Sequence, residues 1–196
     1  MANTNLRPVL ARHLQQRLEA FQDGFRHNLA LIGPPGSGKT FQLQQLIARP
    51  PSRALVIYCP IYRESCRTLL QRLICAIVQS GLGGPGAGSL EGLLERGEER
   101  LPRTTEALRA AEHLLARRAY GEAFNRALDA IPVLSDERRQ PCILMLDEFL
   151  FLEELGLVHA FHELGKRVMI WPSILFVLSS SSPYRARTIL RERLQL

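Results

Sequence analysis

The sequence predicts an α/β fold, a three-layer α/β/α sandwich around a mostly parallel central sheet, and three observations carry that prediction. Short apolar runs alternate with longer segments whose apolar residues recur every three to four positions, as in parallel strands joined by crossover helices. A glycine- and proline-rich turn separates the first run from the helix after it. A later run is continuously apolar, as a strand buried on both faces is, and ends in two adjacent acids.

Taken in order, residues Val9 to Phe25 place Leu10, Leu14, Leu18, Phe21 and Phe25 at the spacing of an amphipathic helix. This segment, 1–27, is expected to pack as a helical addition on a core of residues 28–196. Asn28 to Ile32 is a short apolar strand, followed by the turn Gly33 to Gly38. A helix starts at Lys39, with Phe41, Leu43, Leu46 and Ile47 as its apolar positions, and Pro50 and Pro51 stop it. Arg53 to Cys59 is a second strand. Arg63 to Gln79 is a helix with Leu69, Leu70, Leu73, Ile74, Ile77 and Val78 on its apolar face. Gly81 to Ser89 holds five glycines and a proline and is expected to be a loop. Thr104 to Ile131 is helical in pattern, bent or broken near Tyr120 and Gly121. Cys142 to Leu146 is the third strand, Leu152 to Lys166 a helix, Ile174 to Leu178 the fourth strand and Arg185 to Leu194 a last helix. There is no internal repeat.

With 196 residues, 46% hydrophobic and 22% charged, the chain has the composition of one globular domain that needs no disulfide or metal staple. The formal net charge is +6. Such a balance permits contact with nucleic acid or another anionic surface without requiring it. All but two of the basic residues are arginine, the lysines being Lys39 and Lys166, so the charge is not that of a lysine-rich tail. Cys59, Cys66, Cys75 and Cys142 form no C-x-x-C pair and are expected to be reduced core thiols rather than disulfide or metal ligands. Neither an apolar signal core nor a bilayer-length apolar run is present, so cytoplasmic residence and no membrane partner are expected.

The turn reads Gly33-Pro34-Pro35-Gly36-Ser37-Gly38-Lys39-Thr40, a full match to G-x-x-x-x-G-K-[ST], the P-loop. Glycines let the backbone curl with its N–H groups turned inward around a phosphate, and the next helix offers the positive end of its dipole. With Phe41 just inside that helix, residues 33–41 form the candidate nucleotide site. Lys39 is expected on the β- and γ-phosphates of ATP, and the Thr40 hydroxyl on Mg²⁺. The third strand ends in Asp147 and Glu148. Asp147 is placed to share the Mg²⁺ shell with Thr40, and Glu148 to take a proton from an attacking water. The fourth strand runs into four serines, 179–182, where a hydroxyl can orient that water or touch the γ-phosphate; Ser180 is the first candidate and Ser179 the second.

The order of P-loop, apolar strand with Asp147-Glu148, and polar strand end resembles the additional-strand P-loop ATPases. Within them it resembles the AAA+ proteins and their archaeal-type, initiator-type and STAND relatives. Ala54 to Leu82, with Tyr58-Cys59-Pro60 at the end of a strand, is similar to the same region of the initiator-type and STAND groups. The resemblance implies Mg-dependent ATP hydrolysis, a switch or motor acting on a protein or DNA partner, and a homo-oligomer in which a neighbour completes the site. It also implies that the fourth strand enters the sheet between the first and third. A helical lid is not expected, because the sequence reaches Leu196 before a fifth strand and a lid would follow. Arg167 and Arg185 are candidates for a catalytic arginine. The alternatives left open are a small-molecule kinase and a nucleotide-binding scaffold with negligible hydrolysis.

Weaker signals remain. His159 and His162 are three apart on an expected helix but lack a third metal ligand. Arg185, Arg187, Arg191 and Arg193 give the last helix a basic character that phosphates would favour. Trp171, before Pro172, is expected to pack in a loop.

Overall fold

The computed structural model describes residues 8–83, 88–157 and 159–194. Four parallel strands form one sheet: β1 (Leu29–Ile32), β2 (Leu55–Pro60), β3 (Cys142–Asp147) and β4 (Ile174–Ser180). Their spatial order is β1-β4-β3-β2, so the last strand in sequence lies between the first and third. Every residue of β3 and β4 is buried, whereas the outer strands β1 and β2 are only partly so. This matches the unbroken apolar runs of the two central strands.

The pleat sends alternate residues of β3 to opposite faces. Ile143 and Met145 join Leu175 and Val177 under α1 (Pro8–Gln22) and α2 (Lys39–Ala48), against Leu14, Leu18, Phe21 and Leu43. Cys142, Leu144 and Leu146 join Phe176 and Leu178 under the remaining helices. Each fully buried Leu, Ile or Phe contributes about 1.5–3 kcal/mol relative to exposure, and the two layers of these residues clamp the sheet into the expected three-layer sandwich.

Between β2 and β3 the described residues form four helices: α3 (Cys66–Leu82), α4 (Leu90–Arg100), α5 (Pro102–Ala116) and α6 (Tyr120–Arg138). Several elements differ from expectation. The segment 81–89 is not all loop: α3 carries on through Gly81 and Leu82, and residues 84–87 lie outside the described residues. Gly81 is a packing position, since a Cβ there would stand 2.5 Å from a Leu101 methyl and 2.6 Å from a Leu134 methyl. α4 was not foreseen; Ser89 caps it by accepting from Gly92 N at 3.2 Å. The long helical pattern from Thr104 is broken near Tyr120 as expected: Arg118 takes a left-handed φ of 61°, and α6 starts at Tyr120 and runs through Pro132.

After β3 a short 3-10 turn, Phe149–Glu153, precedes α7 (Ala160–Ile170), so the expected helix from Leu152 starts eight residues later. The C-terminal helix is α8 (Pro183–Ile189), continued by a π-type turn over Leu190–Leu194. Among the described residues, no helix is long and apolar enough to cross a membrane.

Candidate functional site

The register brings the strand tips level. Ile32 lies beside Ser180, Leu146 beside Leu178, and Pro60 beside Asp147. The glycine loop leaves β1 at this edge and returns into α2. Gly36 (φ 74°) and Gly38 (φ 85°) adopt the left-handed backbone that residues with a Cβ resist, and the loop curls over the strand tips. Gly38 is also the residue from which α2 starts.

Lys39 is buried, with 7% of its surface exposed. A buried ammonium needs partners for its three protons. Its Nζ donates to Gly33 O at 2.9 Å, to Pro34 O at 3.2 Å and to Ser181 Oγ at 2.9 Å, with Ser37 Oγ at 3.5 Å. Glu148 Oε1 stands 3.9 Å from the same nitrogen. Thr40 Oγ1 donates to Asp147 Oδ2 at 2.8 Å.

Asp147, 4% exposed, is surrounded by hydroxyls. Besides Thr40, Tyr58 donates to Oδ2 at 3.0 Å and Ser179 donates to Oδ1. Burial first, then the charge and hydrogen bond of Asp147, raise the Tyr58 phenol well above its ordinary range, so at neutral pH it remains a donor. Glu148 follows with a left-handed backbone (φ 58°), which costs a residue with a Cβ about 1 kcal/mol. The turn is held by Glu148 N donating to Ser179 Oγ at 3.1 Å. It aims the carboxylate back at the loop, where Ser181 N donates to Oε2 at 2.8 Å and Ser181 Oγ donates to Oε1.

The structure thus brings together Lys39, Thr40, Asp147 and Glu148 from the predicted set, along with the second-choice serine, Ser179. The hydroxyl of Ser180 is elsewhere: it accepts from Ser182 N at 3.1 Å. The serine that meets Lys39 and Glu148 is Ser181. Ser180 is the last residue of β4, where alternation turns its side chain to the face opposite Ser179, and Ser181 lies just beyond the strand. Tyr58 was passed over because nothing local marks a strand tyrosine as a partner of an aspartate 89 positions away.

Arg167 is not available as a catalytic arginine. It is buried under α6, paired with Asp129 at 2.8 Å and Glu163 at 3.0 Å, and lies 5.5 Å over the Trp171 ring. Trp171 itself stacks on Phe176. Arg185 is half exposed and pairs with Glu153. The four cysteines are free thiols, and burial pushes Cys59 and Cys142 up to about 12 and Cys66 to about 11. Among the described residues there is no group of three or more His, Cys, Asp or Glu that could hold a metal ion. The Thr40–Asp147 pair is an all-oxygen donor set of the kind a hard cation such as Mg²⁺ takes alongside phosphate and water.

A parallel α/β sheet with this loop, buried lysine and acid pair at its C-terminal edge defines the P-loop NTPase class. Within that class, the family model for the AAA ATPase domain matches residues 8–191, and the chain belongs to that family. No curated protein matches the chain significantly.

Proposed function

We propose that the chain binds Mg-ATP in the loop 33–41 and hydrolyses it with Glu148 as general base. One observation carries the reading: Lys39 and Glu148 converge to 3.9 Å beside the Thr40–Asp147 pair, all on one edge of the sheet. Phosphate oxygens would replace the loop carbonyls and Ser181 as partners of the Lys39 ammonium. Thr40 and Asp147 would hold the magnesium ion, which when bound offsets charge on the β- and γ-phosphates. Glu148 accepts a proton from water, the water oxygen bonds to the γ-phosphorus, the bond to the β–γ bridging oxygen breaks, and ADP and phosphate leave. Ser181 links Lys39 to Glu148 and is the better candidate than Ser180 for sensing the γ-phosphate. The test is Glu148→Gln, which should retain ATP binding and lose hydrolysis; turnover at the parent rate would remove Glu148 as the base.

The family and the resemblance to initiator-type and STAND ATPases support a switch or motor acting on a protein or DNA partner, with a homo-oligomer completing the site. Specific activity that rises with protein concentration would support the oligomer, and a flat, normal activity would count against it. A second reading, a nucleotide-binding scaffold with slow hydrolysis, draws on the engagement of both Glu148 carboxylate oxygens by Ser181. It predicts that ATP binds while turnover stays near zero, in the parent as in Glu148→Gln.

A further inference from the structure

We infer that Tyr58 is a positioning residue whose phenol fixes the Asp147 carboxylate in the orientation that receives the magnesium shell of the bound nucleotide. The inference rests on the Mg-ATP reading above. A carboxylate has two oxygens with about four lone-pair sites. Here Oδ2 accepts from both Thr40 and Tyr58, at 2.8 and 3.0 Å, and Oδ1 accepts from Ser179. The three hydroxyls come from α2, β2 and β4, so the carboxylate is held from three directions.

The three are not equivalent. Thr40 is itself a candidate magnesium ligand, so its oxygen has a second task. The Ser179 oxygen also accepts from Glu148 N. Tyr58 has neither commitment. Its ring packs among the apolar residues on the α1–α2 side of the sheet, where Met145, its neighbour in register, also lies. A phenol has only two side-chain torsions, so a packed ring presents its hydroxyl at little entropic cost. Asp147 is two residues beyond Met145 on β3 and therefore projects to the same face. Residues that orient a metal ligand in this way are worth about 10- to 100-fold in metal affinity.

Tyr58→Phe keeps the ring and removes the hydroxyl. The experiment follows binding of a fluorescent ATP analogue to the full chain, first in EDTA and then across a MgCl₂ titration. The expected result is an affinity in EDTA within about twofold of the parent and a Mg²⁺ midpoint raised about 10-fold. Asp147→Asn should abolish the Mg²⁺ response, and the double variant should be no worse than Asp147→Asn alone. An unchanged Mg²⁺ midpoint would overturn the inference. So would an equal loss of affinity in EDTA, which marks a structural role, or a Tyr58→Phe loss that persists in full on the Asp147→Asn background. If the parent shows no Mg²⁺ response, or Lys39→Ala binds like the parent, the Mg-ATP reading itself fails and Tyr58 loses its role with it.

Discussion

The glycine loop and the acid-and-serine cluster meet at one edge of the sheet, through Lys39–Ser181 and Thr40–Asp147, yet are built in opposite ways. The loop is contiguous: Lys39 bonds carbonyls only six and five residues away. The cluster gathers Tyr58, Asp147, Glu148, Ser179 and Ser181 from three strands and their ends. Its hydrogen bonds span 89 residues from Tyr58 to Asp147, 107 from Thr40 to Asp147 and 33 from Ser181 to Glu148. A loop of glycines and one lysine can grip phosphate wherever a strand and a helix flank it. The cluster exists only while β2, β3 and β4 hold their register, since a slip of one residue turns each side chain to the other face. On the proposed function, nucleotide binding would depend mainly on local sequence, and hydrolysis on the register of the sheet.

The largest expected effect tests that separation. Glu148→Gln should lower the ATP turnover rate by about 10²- to 10⁴-fold, with nucleotide affinity measured by calorimetry unchanged. An equal loss of affinity would show that the two halves are not separable. Lys39→Ala should weaken nucleotide binding by about 10- to 100-fold, as expected when charge-assisted hydrogen bonds to phosphate are lost. Ser181→Ala should slow turnover by about 10-fold, while Ser180→Ala should stay within about twofold, the difference being one hydrogen bond into the site. The reverse order would return the role to Ser180.

The smallest effect lies outside the candidate site, in thiols of the sheet body. Burial raises Cys59 and Cys142 from an ordinary 9.0 to about 12. The folded chain then holds these protons more tightly than the unfolded one. Their contribution to stability is intact below about pH 9 and is lost as the pH rises toward 12. Denaturant midpoints should show no thiol-linked pH dependence between pH 7 and 8, and should fall above pH 9. Cys59→Ser and Cys142→Ser should each flatten that fall.

Much of the fold was legible in residues alone. The unbroken apolar runs marked the two central strands, and residues Gly33 to Thr40 marked the loop between β1 and α2. The misreadings have local causes. Gly81 looked like loop because glycine is a turn signal, but it sits in α3 where two leucines leave no room for a side chain. α4 escaped notice because its polar residues outnumber its buried ones, Leu93, Leu94 and Gly97. Arg167 was a free cation on paper and a buried, paired one in the fold.

The sequence by itself determined the groups on offer: a lysine at the end of a glycine loop, a hydroxyl beside it, two acids at the end of a buried strand and a serine-tipped strand. Those follow from short-range rules, the conformational freedom of glycine, helix dipoles and apolar runs, which act over a few residues. Only the tertiary structure decided that Ser181 rather than Ser180 meets Glu148, that Tyr58 and Ser179 hold Asp147, and that Arg167 is sequestered. A hydrogen bond reaches about 3 Å, so each of these choices depends on register and pleat between segments dozens of residues apart.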